Sequence, residues 1–372
     1  MPVLLSAAAV AIALSAAEPL AINRIVINDS PGDQTDPHVS GDLVAYSNFA
    51  GTQEIRYYRF STGVDTPITN LAGDGTRSID QLAGVSGPYI TFTRINSPNT
   101  ESDVMLFDAE LGSLEPVEIN ESSDSARSNS AIGGNSVAYV DHYSLFTPQP
   151  GTVMHFDLIT GIVTQLSSSG LRDVNPQVSP DGNVVVWQRC ETLLSCDVVQ
   201  AVRQPDATFS EVDVANTAAE ENDPDTNGEV VVYVKDAGNE ADIHYRAVAG
   251  GEEFRLLLDG VDSNPHISGS LISFENRLTP QAPADILLFD LLTQRLFRVS
   301  DTFFNNEALN DVFVDPDGTV RMVWQSDDDA DGFSTNIYGA VFSLPPAPVP
   351  LPGAAWLLAP GLLALARLRK AP

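Results

Sequence analysis

The chain has 372 residues, with 50 Asp and Glu against 19 Lys and Arg, for a formal net charge of -31 at pH 7. A balance this acidic excludes the nucleic-acid binders, which need basic surfaces. It bears on solubility and partners rather than on fold.

In chain order, residues 1–17 (MPVLLSAAAVAIALSAA) form an apolar run ending in small residues, with Ser15 and Ala17 at the minus-three and minus-one sites of a signal peptidase. No Lys or Arg precedes the run, so either the true start lies upstream or the amino group of Met1 supplies the only positive charge. An Ala-rich segment without a polar face has nowhere to pack in the fold argued below. The expectation is a signal peptide over 1–17, hence export.

Residues 22–343 read as a repeat. DPHVSGDLVAY (Asp36 to Tyr46), LAGVSGPYITF (Leu82 to Phe92), NSAIGGNSVAY (Asn129 to Tyr139) and NPQVSPDGNVVVW (Asn175 to Trp187) align with one another. So do DPDTNGEVVVY (Asp223 to Tyr233), NPHISGSLISF (Asn264 to Phe274) and DVFVDPDGTVRMVW (Asp311 to Trp324). Each is a short strand, a Gly turn and a second apolar strand closing on an aromatic. Those aromatics recur every 41 to 50 residues, the blade period of a propeller. A third strand (EIRYYRF, DVMLFD and their equivalents) and a fourth (IVTQLS, FSEVDVA, EFRLLL) follow in each unit except the seventh, which lacks the fourth. The segment Ile22 to Ser30 (INRIVINDS) has the fourth-strand pattern and precedes the first repeat. Paired into blade seven, it closes the ring and removes an open sheet edge. The fold class expected is therefore all-β, a seven-bladed β-propeller closed by an N-terminal strand.

The second strands are apolar on both faces, as expected between neighbouring blades. The acidic residues gather in connections such as NESSDSARSN and TAAEENDPD, where solvated surface is the plainest reading. Cys190 and Cys196 are the only cysteines. In an oxidising compartment the pair reads as a disulfide clipping a short hairpin. A metal site would need His or further Cys beside them, and none stands close in sequence.

NPQVSPDG and DVFVDPDG, with their PDG turns, resemble the TolB-like propellers, whose repeats are sometimes called WD40-like. That resemblance spans roughly residues 22 to 343, and it implies a protein-binding module, a non-catalytic cap of a prolyl peptidase, or a polysaccharide lyase. The peptidase reading needs an α/β-hydrolase domain with a G-x-S-x-G elbow, which the sequence does not carry.

His38 and His266 stand at equivalent sites of repeats one and six, and Gln177 stands at that site in repeat four. First-strand positions line a propeller's central channel, so these three side chains are the candidate binding group, able to converge on a metal or a sugar acid. Side chains after this Pro also vary freely when they face channel water, and no catalytic residue is assigned. His142, His155 and His244 complete no ligand set. Near the end of the repeat, Asp327, Asp329 and Asp331 followed by Gly332 reproduce the opening of a Ca²⁺ loop. Position twelve is Tyr338 where the full motif has Glu. The site expected there is a structural calcium loop, or else a solvated acidic turn.

Residues 344–348 are a Pro-rich linker, and 349–372 close the chain with no charge from Val349 to Ala366 and then Arg367, Arg369 and Lys370. About 18 apolar residues reach the lower limit of a membrane-spanning helix, which Pro360 and Gly361 weaken, and the basic end belongs in the cytoplasm. Val349-Pro350-Leu351-Pro352, the apolar stretch with Trp356 and the basic end resemble the PEP-CTERM sorting signal of Gram-negative bacteria in its VPLP form. The resemblance implies processing by an exosortase and a cell-surface or extracellular-matrix destination after transient anchoring in the inner membrane. The functional expectation is a monomeric, non-enzymatic scaffold that engages extracellular polysaccharide or an envelope protein. The alternative is a propeller lyase or hydrolase acting on acidic glycans.

Overall fold

A computed structural model of the chain describes residues 9–14, 16–49, 53–68, 78–95, 102–111, 117–119, 126–142, 150–167, 170–192, 195–236, 240–300, 305–327 and 334–346. Two compact units divide the chain, Met1–Phe342 and Ser343–Pro372. Of the second, residues 343–346 are described and carry no regular structure.

The first unit is all-β: seven sheets, each built on four antiparallel strands that follow one another in sequence in six of the seven, the seven blades of a propeller. The first strands are Gln34–Ser40, Ile79–Ser86, Ala126–Gly133, Arg172–Val178, Glu220–Thr226, Val261–Ser268 and Glu307–Val314. Each lies against the next, and the last returns to the first, so the ring closes. The predicted aromatics lie within the second strands, at least two residues before their ends, and are at most 2 % exposed: Tyr46, Phe92, Tyr139, Trp187, Tyr233, Phe274 and Trp324. Burying side chains of this size contributes on the order of 3 kcal/mol each. The core lies between blades: Ala45 packs with Phe92 and Phe107 toward blade two, while Val44 and Tyr46 pack with Val323 and Ile337 toward blade seven. One strand thus faces two apolar neighbours, and alternation of polar and apolar residues is lost from its sequence.

Blade seven takes its fourth strand from the N-terminal side. Ile25–Asn28 pairs antiparallel with Asn336–Phe342, Ile25 opposite Gly339 and Val26 opposite Tyr338. Gly339 is required by close approach, since a Cβ there would come within 3.0 Å of Ile27 Cδ1 and of Phe60 Cζ. Two earlier segments add fifth, parallel strands on outer edges: Val10–Ala13 beside Glu253–Leu257, and Glu18–Pro19 beside Arg295–Arg298. Glu18 accepts two hydrogen bonds from Arg295, at 3.1 and 2.7 Å. Cys190 and Cys196 sit directly opposite each other on neighbouring strands and form the expected disulfide, packed on Val174. Among the described residues no helix is long and apolar enough to cross a membrane.

A second sevenfold feature is polar. Each first strand buries one polar side chain near its start, Gln34, Asp80, Arg127, Asp173, Glu221, Asp262 or Glu307, none more than 6 % exposed. The second strand supplies a partner two positions beyond the aromatic. Blades two, four and five use Asp80 with Arg94, Asp173 with Arg189 and Glu221 with Lys235, while blade three reverses the sense with Arg127 and Asp141. In blades one, six and seven the partner is neutral: Asn48, Asn276 or Ser326. The five acids of this ring are therefore inside the blades rather than in connections. A burial pattern of one polar group per first strand is invisible to a search for alternating apolar residues.

Candidate binding channel

Every first strand carries the same bulge. Pairing with the second strand stops at Thr35 and resumes at His38 in blade one, and it skips two residues at the matching place in the other six. The first skipped residue has positive φ in all seven: Asp36, Leu82, Asn129, Asn175, Asp223, Asn264 and Leu309, between 46° and 57°. Asn and Asp tolerate this left-handed conformation better than other side chains do, which accounts for their recurrence at five of these positions. The residue after the bulge pairs with the one just before the buried aromatic. Around the ring these residues are His38, Gly84, Ala131, Gln177, Asp225, His266 and Asp311.

The bulges enclose a cavity of about 200 Å³, and a second of about 120 Å³ continues beyond it. Both are walled by His38, Ala83, Ser130, Gln177 and His266, so the two imidazoles and the amide mark the boundary between them. The three predicted binding residues do meet in the channel. The sequence alignment missed their partners. It set Asp311 opposite Asp36, whereas Leu309 occupies that place and Asp311 stands opposite His38. The hairpin after Asp311 is longer than in the other repeats, so matching the PDG turns of repeats four and seven puts their bulges out of register. Asp225, the third residue of DPD in repeat five, holds the position that His38 holds in repeat one.

Four consecutive blades thus present Asp225, His266, Asp311 and His38, alternating acid and imidazole. His266 Nδ1 lies 3.5 Å from Asp225 and 3.7 Å from Asp311, and His38 Nδ1 lies 3.5 Å from Asp311. His38 Nε2 is 3.6 Å from Asp36, and the two imidazole rings are 6.0 Å apart, edge to face. Each acid also accepts the backbone N–H that follows its histidine: Val39 donates to Asp311 and Ile267 to Asp225, both at 2.8 Å. The histidine side chains are 20 and 13 % exposed. Burial works against charge on His38, but Asp311 and Asp36 outweigh it and push the imidazole up to about 10. His266 is raised in the same way by Asp225 and Asp311, against burial and the neighbouring charge of His38. Burial would raise Asp311, yet the two histidines hold its carboxyl below the ordinary range. The His38 ring is therefore a cation at neutral pH, and the carboxylates on either side of His266 favour its charged form as well. The opposite wall, with Gly84, Ala131 and Gln177, carries no charge.

The other histidines serve within and between blades. His142 meets Ser128 Oγ at 3.1 Å, and His244 pairs with Glu253 at 2.6 Å. His155, beside Ser136 and Arg203, is pushed down to about 4 by burial and by the guanidinium. Asp327 accepts the backbone N–H of Asn306. Asp329 and Asp331, with the sorting residues Val349, Pro350, Leu351, Pro352, Arg367, Arg369 and Lys370, lie outside the described residues. Among the described residues no group of three or more His, Cys, Asp or Glu is placed to hold a metal ion.

No protein-family model matches the sequence, and no curated protein matches it. Solved structures do. A puromycin-hydrolysing peptidase from Mycobacterium tuberculosis superposes with a TM-score of 0.58 at 14% identity, over 87% of this chain and 54% of its own. The β-propeller domain of the Trilobed protease from Pyrococcus furiosus gives 0.58 at 14%, over 86% and 97%. TolB from Acinetobacter baumannii gives 0.45 at 15%, over 82% and 78%. At such identities the likeness is one of fold, and the chain spans about half the length of the peptidase. The Pyrococcus domain is described as having an open velcro topology, whereas the ring here is closed by Ile25–Asn28.

Proposed function

We propose that the chain is a binding propeller of the cell envelope rather than an enzyme, and that the channel engages extracellular polysaccharide or an envelope protein. The observation that carries this reading is the arc Asp225, His266, Asp311 and His38. A general base must be unprotonated near the working pH, and an imidazole held up to about 10 between two carboxylates is not. A fixed array of charges facing a neutral wall suits recognition, because its groups are already oriented before a ligand arrives. The acid–base pair that a lyase acting on acidic glycans would require is therefore committed elsewhere. The test is a glycan array with the purified mature protein, with and without Ca²⁺ to include the loop at Asp327, Asp329 and Asp331. Retention of a glycan that Asp311→Asn and Gln177→Ala abolish, with no bond cleaved, is the expected result. Product release that disappears in His38→Asn would overturn the non-enzymatic reading.

Export and sorting belong to the same proposal and rest on residues 1–17 and 349–372. In cells with an exosortase, the mature protein should lack Arg367 to Pro372. Peptide mapping that recovers an intact C-terminus from such cells would leave a simple anchor.

A further inference from the structure

The larger of the two channel cavities, about 200 Å³, is ringed by the left-handed bulge residues, and five of these are polar: Asp36, Asn129, Asn175, Asp223 and Asn264. Along both cavities the carboxylates of Asp36, Asp223, Asp225 and Asp311 outnumber the imidazoles of His38 and His266. With all four acids ionised, the channel is negative even when both rings are protonated.

Three of the acids are committed. Asp311 and Asp225 lie against histidines and accept backbone N–H groups, and Asp36 lies against His38. Asp223 differs. It lines the cavity, it is exposed there, and no side chain among the described residues hydrogen-bonds or pairs with it. Desolvation inside the ring, with Glu275 and Glu220 adding to it, raises its carboxyl against the pull of His266. A carboxylate in this setting calls for a cation.

The amides beside it call for something more. On the next blade Asn264 lines the same cavity, and its side chain makes no hydrogen bond among the described residues; only its backbone oxygen accepts, from Asn310 at 3.0 Å. Asn129 donates to Asn175 at 3.0 Å, and Asn175 donates to Gln188 at 2.5 Å, which leaves Asn129 Oδ1 as an acceptor. An amide offers a donor and an acceptor together, as a hydroxyl requires. A lysine side chain would answer Asp223 but has nothing for these amides. Among the described residues no three acids or imidazoles are placed to share a metal ion.

We propose that this end of the channel binds a sugar with a free ammonium group, of the deacetylated amino-sugar class, its ammonium on Asp223 and a neighbouring hydroxyl on Asn264. The proposal rests on the reading of the channel as a glycan site and narrows it. The volume falls below the roughly 300–1,000 Å³ of pockets for larger ligands, which suits one sugar ring. The net charge of -31 draws cations toward the cleft and turns acidic glycans away.

Isothermal titration of the purified mature protein with a glucosamine trimer, its N-acetylated counterpart and trilysine tests it. Saturable binding of the glucosamine trimer is expected, at least tenfold (about 1.4 kcal/mol) tighter than that of the other two. Trilysine controls for general attraction to an acidic protein. Asp223→Asn should weaken the binding at least tenfold. The bulge should survive this change, because Asn holds the same left-handed position at Asn129, Asn175 and Asn264. Glu110→Gln removes an equal charge from an exposed turn and should leave the binding unchanged. Equal binding of the N-acetylated trimer or of trilysine, or undiminished affinity in Asp223→Asn, would overturn the proposal. Retention of a neutral or acidic glycan without binding of the glucosamine trimer would overturn it and leave the channel a glycan site, whereas retention of no glycan would remove both. The comparison of the three ligands needs no variant to fold.

Discussion

Deleting residues 22–30 should abolish the cooperative unfolding transition of the propeller. The segment supplies the one strand that a continuous run of seven four-stranded repeats cannot supply for itself. Its loss would uncover the Asn336–Phe342 edge and leave a row of unpaired backbone groups open to other chains. Side-chain losses add to this. Ile27 is 6 % exposed and packs with Val44, Tyr46 and Ile337. Asn28, buried, donates to the Tyr46 hydroxyl at 2.7 Å, and that hydroxyl donates to Asp65 at 2.8 Å. One buried Ile, a hydrogen-bonded buried Asn and a strand ladder together approach the whole stability of an ordinary domain, about 5–15 kcal/mol. The milder Ile27→Ala should cost roughly 2–5 kcal/mol and lower the melting temperature while keeping a single transition. A deletion protein that melts like its parent, followed by circular dichroism, would show that closure does not depend on this strand.

The repeat period, the blade count and the closing strand were legible because the buried aromatics recur once per blade and because an unpaired strand had to come from somewhere. The disulfide was legible from two cysteines facing each other across a short hairpin. Half of the channel arc was not. His38 and His266 drew notice as rare residue types, whereas Asp225 and Asp311 were hidden among many acids. Asp311 was further displaced by the longer hairpin of repeat seven. What defines equivalence between blades is the left-handed bulge, and it appears in sequence as Asn or Asp only five times out of seven. Leu82 and Leu309 adopt the same conformation without a residue type that announces it.

Asp262→Asn should stabilise the protein at pH 8 by as much as about 4 kcal/mol and change little at pH 4. In the ring of buried polar residues, Asp80, Asp173 and Glu221 face Arg or Lys, but Asp262 faces Asn276, which donates at 2.7 Å to Oδ1. Its Oδ2 is buried with no hydrogen-bond partner. Burial, with the nearby Asp242 adding to it, pushes the carboxyl up to about 7, while Asn276, the Ile243 backbone N–H and Arg255 pull the other way without prevailing. An acid whose pKa is raised by folding is harder to ionise in the folded chain. The protein therefore loses stability as pH rises from about 4, where the unfolded carboxyl ionises, to about 7, and loses no more from this group above that. Three pH units correspond to about 4 kcal/mol at 1.36 kcal/mol per unit. Asn has the same shape, keeps an acceptor for Asn276 and brings no charge, so the loss should vanish. His38 acts in a different window: its raised value contributes stability that is complete below about 6.5 and lost as pH climbs toward 10. His155, pushed down to about 4, and Asp197, pushed up to about 6, titrate between pH 4 and 6.5 in both proteins, so the difference between wild-type and Asp262→Asn denaturant midpoints over that interval isolates Asp262. If the wild-type and Asp262→Asn curves run parallel across that interval, the buried carboxyl is not the group that titrates.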